Sequence, residues 1–154
     1  MTNVKMNSKR QGQALVEFAL IAPLLIFLVL GIIDFGRALF TYAMASNSLR
    51  DAVRYAEVLG YSGGVPRYLD CTSMDKTARN VFVVNSQTVT IQYLKSDGTT
   101  VIPCASATPD NLVNGDLLQI ESKARVNFIT PILSNIFHGL DFDFKGQRTI
   151  LKEI

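Results

Sequence analysis

A run of apolar residues from Ala14 to Ile33, broken by a single acid at Glu17, constrains this chain more than any other feature. Its 20 residues, at ~1.5 Å each, cross the ~30 Å hydrocarbon core of a bilayer once. Pro23 and Gly31 are its helix-unfriendly members. Proline is tolerated in lipid-embedded helices, so a harmless kink is expected at Pro23. A carboxylate at the centre of such a run costs ~2.5–3.5 kcal/mol on insertion scales. Glu17 therefore either snorkels to the near interface or answers to a partner.

Charge then sets the topology. Lys5, Lys9 and Arg10 precede the run, and the mixed pair Asp34 and Arg37 follows it. The positive-inside tendency accordingly places residues 1–12 in the cytoplasm and everything after Ile33 outside. Fifteen basic side chains less those three leave twelve, and thirteen acids less Glu17 also leave twelve, so the exported part is neutral. A neutral domain has no basic stripe to neutralise phosphates, which excludes the usual nucleic-acid partner. The ~120 residues beyond the run suffice for one small domain.

Three processing routes fit such an N-terminus. A secretory signal is followed within a few residues by a small-x-small cleavage site, but the nearest, Ala43-Met44-Ala45, lies too far along and inside a helical pattern. A lipoprotein signal requires a cysteine just after the run, and none stands there. The third route cuts before the run, after Gly12, and leaves Gln13 as the new N-terminus with Glu17 and Phe18 close behind.

The residues Arg10-Gln11-Gly12-Gln13-Ala14-Leu15-Val16-Glu17-Phe18-Ala19-Leu20 resemble the N-terminus of the TadE-like minor pilins (pseudopilins) of bacterial tight-adherence pili. The resemblance continues through Pro23, through Gly31-Ile32-Ile33-Asp34-Phe35-Gly36-Arg37, and through Leu49-Arg50-Asp51-Ala52-Val53-Arg54-Tyr55-Ala56, and fades beyond them. Asp51 stands where the family more often has Glu. The resemblance implies a cut after Gly12 by the prepilin peptidase, with Glu17 and Phe18 as part of the processing and assembly signal. It implies a non-enzymatic subunit of the inner membrane, incorporated in an adhesive surface fibre or its base. Its implied partners are other pilin-like subunits, the peptidase, the pilus assembly platform and membrane lipid.

Elementary chemistry supports those roles independently. Glycine at a cut lets the backbone enter a protease cleft in extended form. Cleavage creates a cationic amine on Gln13, and Glu17 lies four residues along the same helix face. That amine has two candidate partners, its own Glu17 or that of a neighbouring subunit, because an unpaired carboxylate in low dielectric protonates or finds a partner.

The helix is expected to continue past the bilayer to Leu59, since Leu39, Tyr42, Leu49, Ala52, Val53, Ala56 and Leu59 recur at helical spacing. Gly60, Gly63, Gly64 and Pro66 then stop it. The chain thus divides into a leader (1–12), a membrane span (13–33), a helical continuation (34–59) and a head (60–154). An α+β head follows from the patterning. Ser73 caps a short helix through about Val84, with Met74, Ala78, Val81 and Phe82 facing inward. Val89, Ile91 and Tyr93 alternate, Asp97-Gly98 turns the chain, and Thr99 to Pro103 return. Asn114-Gly115 turns again before a long strand through Leu118, Ile120, Ser122, Ala124, Val126 and Phe128. Pro131 opens a short helix ending at Gly139, and a terminal strand runs through Phe142 and Phe144, breaks near Gly146, and resumes from Thr149 to Ile154.

Cys71 and Cys104 fit a disulfide in an exported domain better than a metal site, which requires two further ligands; buried free thiols are the alternative. Catalytic chemistry is thin. His138 is the one histidine and sits beside Gly139 at a helix end, where it meets the last carbonyls. Asp141 and Asp143 share a strand face, which is either solvated or a weak calcium site. No cofactor or metal is expected. The alternative to a pilin is an uncut, single-span protein whose head is a binding module, which would keep its basic leader and have no need of Glu17.

Overall fold

The computed structural model describes residues 8–82 and 84–150. Lys5, Val83 and residues 151–154, with the end of the expected terminal strand, lie outside them. One helix, α1 (Ser8–Glu57), dominates. It runs without interruption past Pro23, and no side chain from 12 to 33 is buried. Among the described residues it is one helix long and apolar enough to cross a membrane.

After α1, positive φ at Gly63 and Gly64 turns a two-residue hairpin between β1 (Tyr61–Ser62) and β2 (Val65–Pro66). Both central residues of such a turn must take positive φ, which glycine does without strain. Helix α2 (Cys71–Ala78) follows a single 3-10 turn, and then come β3 (Ser86–Leu94), β4 (Val101–Pro103), β5 (Leu117–Val126), α3 (Pro131–Phe137) and β6 (Leu140–Thr149). Strands β3 to β6 form an antiparallel sheet in the order β4-β3-β5-β6. The α+β expectation stands: a long apolar helix followed by a small head of short helices and antiparallel sheets.

The alternation read from β5 is the axis of the core. Leu118, Ile120, Ser122, Ala124 and Val126 are buried, and their partners on β6 and β3 bring Phe144, Ile91 and Tyr93 to the same face. Against that face lie Leu49, Ala52, Val53 and Ala56 of α1 and Met74 and Ala78 of α2. The opposite face is a polar ladder. Gln147 donates to Gln119, Lys145 lies 3.5 Å from Glu121, and Arg125 grips Asp141 with two bonds of 2.7 and 3.0 Å. Asp141 and Asp143 are thus on the solvated face, with Asp141 held by a guanidinium.

Six details depart from expectation. The buried stripe of α1 consists of Asp34, Ala38, Thr41, Ala45, Ser48, Leu49, Ala52, Val53 and Ala56, while Leu39, Tyr42 and Leu59 are about half exposed. Small residues let the helix sit close to the sheet, and the larger Tyr42 leans its ring on Phe142 and Phe144 from the flank. The helix also ends at Glu57, two residues early. Helix α2 is capped by Asp70, whose carboxylate accepts the Ser73 N–H at 3.0 Å, and not by Ser73. It stops at Ala78 because that carbonyl is taken by the Gln87 side chain at 2.8 Å, so Phe82 stays exposed. Finally, β5 ends at Val126, short of Phe128, whereas β6 continues straight through Gly146. A Cβ on Gly146 would stand 2.7 Å from Val53 Cγ2 and 3.3 Å from Leu49 Cγ. The glycine is there to let α1 cross the strand, and it does not break the ladder.

Candidate functional site: the long helix and its hold on the head

The processing and assembly residues expected from sequence lie together in the first described turns of α1. Gly12 is helical, and the space a Cβ would occupy there is open. Gly12 thus stands inside the helix and not in an extended segment. Four residues apart, Gln13 Nε2 donates to Glu17 Oε1 at 3.1 Å. With the Gly12–Gln13 bond intact the Gln13 backbone nitrogen is an uncharged amide, and the bond to the acid is made by the side chain. Phe18 projects outward, 67% exposed. Gln13 and Glu17 thus meet through their side chains, four residues apart on a surface bare of the head.

Where α1 leaves its apolar run, the sequence reading missed a joint. Asp34 is 2% exposed, and its carboxylate accepts the backbone N–H of Ile129 at 2.8 Å and of Thr130 at 2.9 Å. Arg37 lies one turn on, 3.7 Å from Asp34, and donates to the Asn127 carbonyl at 3.4 Å. Asp34 thus closes the entry to α3, whose first position is the expected Pro131. In the sequence this pair reads only as a topology flag; the available signal was Thr130-Pro131, a helix entry whose preceding N–H groups require an acceptor.

Further along, Ser48 Oγ donates to the Asn80 carbonyl at 2.8 Å, and Tyr55 Oη donates to Asp70 at 2.7 Å. Asp70 therefore caps α2 and receives α1 with one carboxylate. Burial drives its pKa up, but the Ser73 and Tyr55 hydrogen bonds outweigh this and leave it below the ordinary value. The Cys71–Cys104 disulfide, with a Cα–Cα distance of 6.0 Å, joins the start of α2 to the turn after β4. Tyr93 lies fully buried beside it and donates its hydroxyl to the Tyr68 carbonyl.

His138 takes a left-handed conformation (φ 51°) at the end of α3, and its backbone N–H donates to the Ser134 carbonyl at 3.1 Å. A groove of about 600 Å³ between α1 and β6 gathers Arg50, Arg54, Lys145 and Arg148 around Glu57, with neither histidine nor cysteine in its lining. Among the described residues no three His, Cys, Asp or Glu side chains group as metal ligands.

Residues 12–54 match the family model described as TadE-like protein. The match begins at the glycine of the expected cut and ends within α1, so it covers the helix and none of the head. No curated protein and no solved structure matches the chain.

Proposed function

We propose that this protein is a minor pilin of a tight-adherence pilus, a structural subunit and not an enzyme. The observation that carries the reading is the coincidence of the TadE-like match at residues 12–54 with a bare apolar helix bearing Glu17 near its start. In this reading the span 13–33 holds the protein in the inner membrane with its head outside. Prepilin peptidase removes residues 1–12, and the freed amine of Gln13 becomes a counter-ion for a Glu17 carboxylate. The exposed face of α1 then packs side by side with the helices of other pilin-like subunits, and the head selects neighbours. The polar joints at Asp34, Ser48 and Tyr55 support such a role, because a helix used as a building strut must be fixed rigidly to what it carries.

The opposing observation is the unbroken helix through Gly12, which an uncut single-span protein accommodates without unwinding. Intact mass and N-terminal sequence of the membrane-extracted protein, made in its native host, separate the two. A start at Gln13 with the apolar segment retained is the expected result. A start at residue 1 or 2 leaves the anchored binding module, and a start near Ser46 means a released protein and ends both readings.

A further inference from the structure

We infer that the connection between β5 and β6, residues 127–139, is a second membrane contact. In this arrangement α3 lies in the lipid interface beside the foot of α1, with Ile129, Ile136 and Phe137 toward the acyl chains. The inference rests on residues 13–33 being the membrane span.

Register fixes which end of the head faces the bilayer. Tyr42 meets Phe142 and Phe144, Leu49 and Val53 lie over Gly146, and Glu57 is 3.7 Å from Arg148. Higher numbers on α1 therefore meet higher numbers on β6, so β6 ascends alongside the helix and its first residue points back toward the span. Antiparallel β5 must arrive at that same end. Asp34 confirms the level: it follows the last residue of the span by one helical step of ~1.5 Å, and its carboxylate holds the N–H groups of Ile129 and Thr130.

Composition and exposure agree with this placement. Residues 126–140 contain no Asp, Glu, Lys or Arg, although Arg125 and Asp141 stand immediately outside them. Ile129, Ile136 and Phe137 are 57%, 62% and 60% exposed, and Ile129 is tied through its backbone N–H to Asp34, one residue beyond the span. An apolar surface presented to water at this level is costly, whereas in the interface it is buried by lipid. The backbone suits low dielectric as well. Asp34 takes two N–H groups, Pro131 has none, and the N–H groups of Ser134 and His138 reach the carbonyls of Thr130 and Ser134.

The chain has no tryptophan, so one introduced tryptophan reports its own surroundings. Ile136→Trp, Phe27→Trp and Tyr61→Trp are each made in the full chain. Each is then reconstituted in phosphatidylcholine–phosphatidylglycerol vesicles carrying lipids brominated near the headgroup or deep in the acyl chain. At an interfacial depth of ~5–10 Å, Ile136→Trp emission should be blue-shifted and quenched most by shallow bromine. Phe27→Trp should be quenched most by deep bromine, and Tyr61→Trp, past the far end of α1, by neither. An unquenched Ile136→Trp beside a quenched Phe27→Trp overturns the interfacial contact and leaves the anchor standing. An unquenched Phe27→Trp takes down the anchor and the inference together. A blue shift at Ile136→Trp that ignores bromine and fades as protein is diluted in lipid assigns the patch to a second copy of the chain and overturns the lipid contact.

Discussion

The carboxylate of Asp34 and the backbone N–H of Thr130, 96 residues apart in sequence, are joined by a hydrogen bond of 2.9 Å. Hydrogen bonds to a charged group contribute about 1.5–3 kcal/mol each, and Asp34 makes two in a buried place. Asp34→Ala should lower head stability by about that amount and speed amide hydrogen exchange at residues 127–139 more than elsewhere in the head. Asp34→Asn keeps an oxygen acceptor and should lose less. Unchanged exchange in Asp34→Ala would mean that the joint holds nothing in place.

Gly146 makes a sharper steric prediction. Gly146→Ala puts a methyl 2.7 Å from Val53 Cγ2, and overpacking of this kind costs about 1–3 kcal/mol. In a Val53→Ala background the same change should cost much less, a coupling that a double-mutant cycle in thermal or denaturant unfolding reads directly. Additive losses would place the strain in the backbone of β6 instead.

The disulfide closes a separation of 33 residues, which the chain-entropy model converts to about 3–4 kcal/mol. Cys71→Ser and Cys104→Ser should destabilise the head equally, and the double variant no more than either. Unequal losses, or two titratable thiols in the protein from its native host, would count against a bridge.

Acid should loosen the head through its aspartates. Asp116 is fully buried; burial pushes its pKa up, but the N–H groups of Val113 and Ser96 and the Lys95 ammonium overcome this and hold it below 3.8. Asp70 is depressed likewise, and exposed Asp97 is held at about 2 by the Thr100 and Thr99 N–H groups. A folded pKa below the unfolded one adds stability that is fully present above the unfolded value and disappears as pH falls through the folded value. The thermal midpoint should therefore be flat above about pH 5 and fall steadily below about pH 4. Asp116→Asn should start lower and fall less. A midpoint independent of pH down to 2 would contradict the assignment.

How far the fold was legible depended on whether local chemistry decided the outcome. The apolar run, the alternation of β5, the turns at Asp97-Gly98 and Asn114-Gly115 and the Pro131 helix were all readable, because period and turn chemistry are properties of neighbours in sequence. The cap at Asp70 was local and legible too, but Ser73 competed with it as an equally good N-cap residue. The end of α2 at Ala78 was not legible, since Gln87 reaches its carbonyl from another element. Gly146 looked like a strand breaker for the same reason: the residues that require it, Leu49 and Val53, lie nearly a hundred positions away. Asp34 was noticed for its charge and misjudged in its task, because its partners are backbone groups that no side-chain pattern announces.

Glu17 carries the last prediction, and Gln13 is its control. In the uncut chain the acid is held by the Gln13 side chain at 3.1 Å; after a cut, the competing group is the Gln13 amine. Gln13→Ala removes the first contact and keeps the second, so it should insert, be processed and assemble nearly as the parent does. Glu17→Ala should insert normally yet assemble poorly. A close charge pair contributes about 1.5 kcal/mol or more, which is over tenfold in association. Glu17→Gln retains a hydrogen-bond acceptor but not the charge and should follow Glu17→Ala. Gly12→Leu should block processing and so leave the amine unmade. Pilus yield on the cell surface, scored beside the N-terminal sequence of each variant, orders these outcomes. Normal pili from Glu17→Ala cells would remove the acid from assembly altogether, and equal defects in Gln13→Ala and Glu17→Ala would transfer the role from the amine to the side-chain amide.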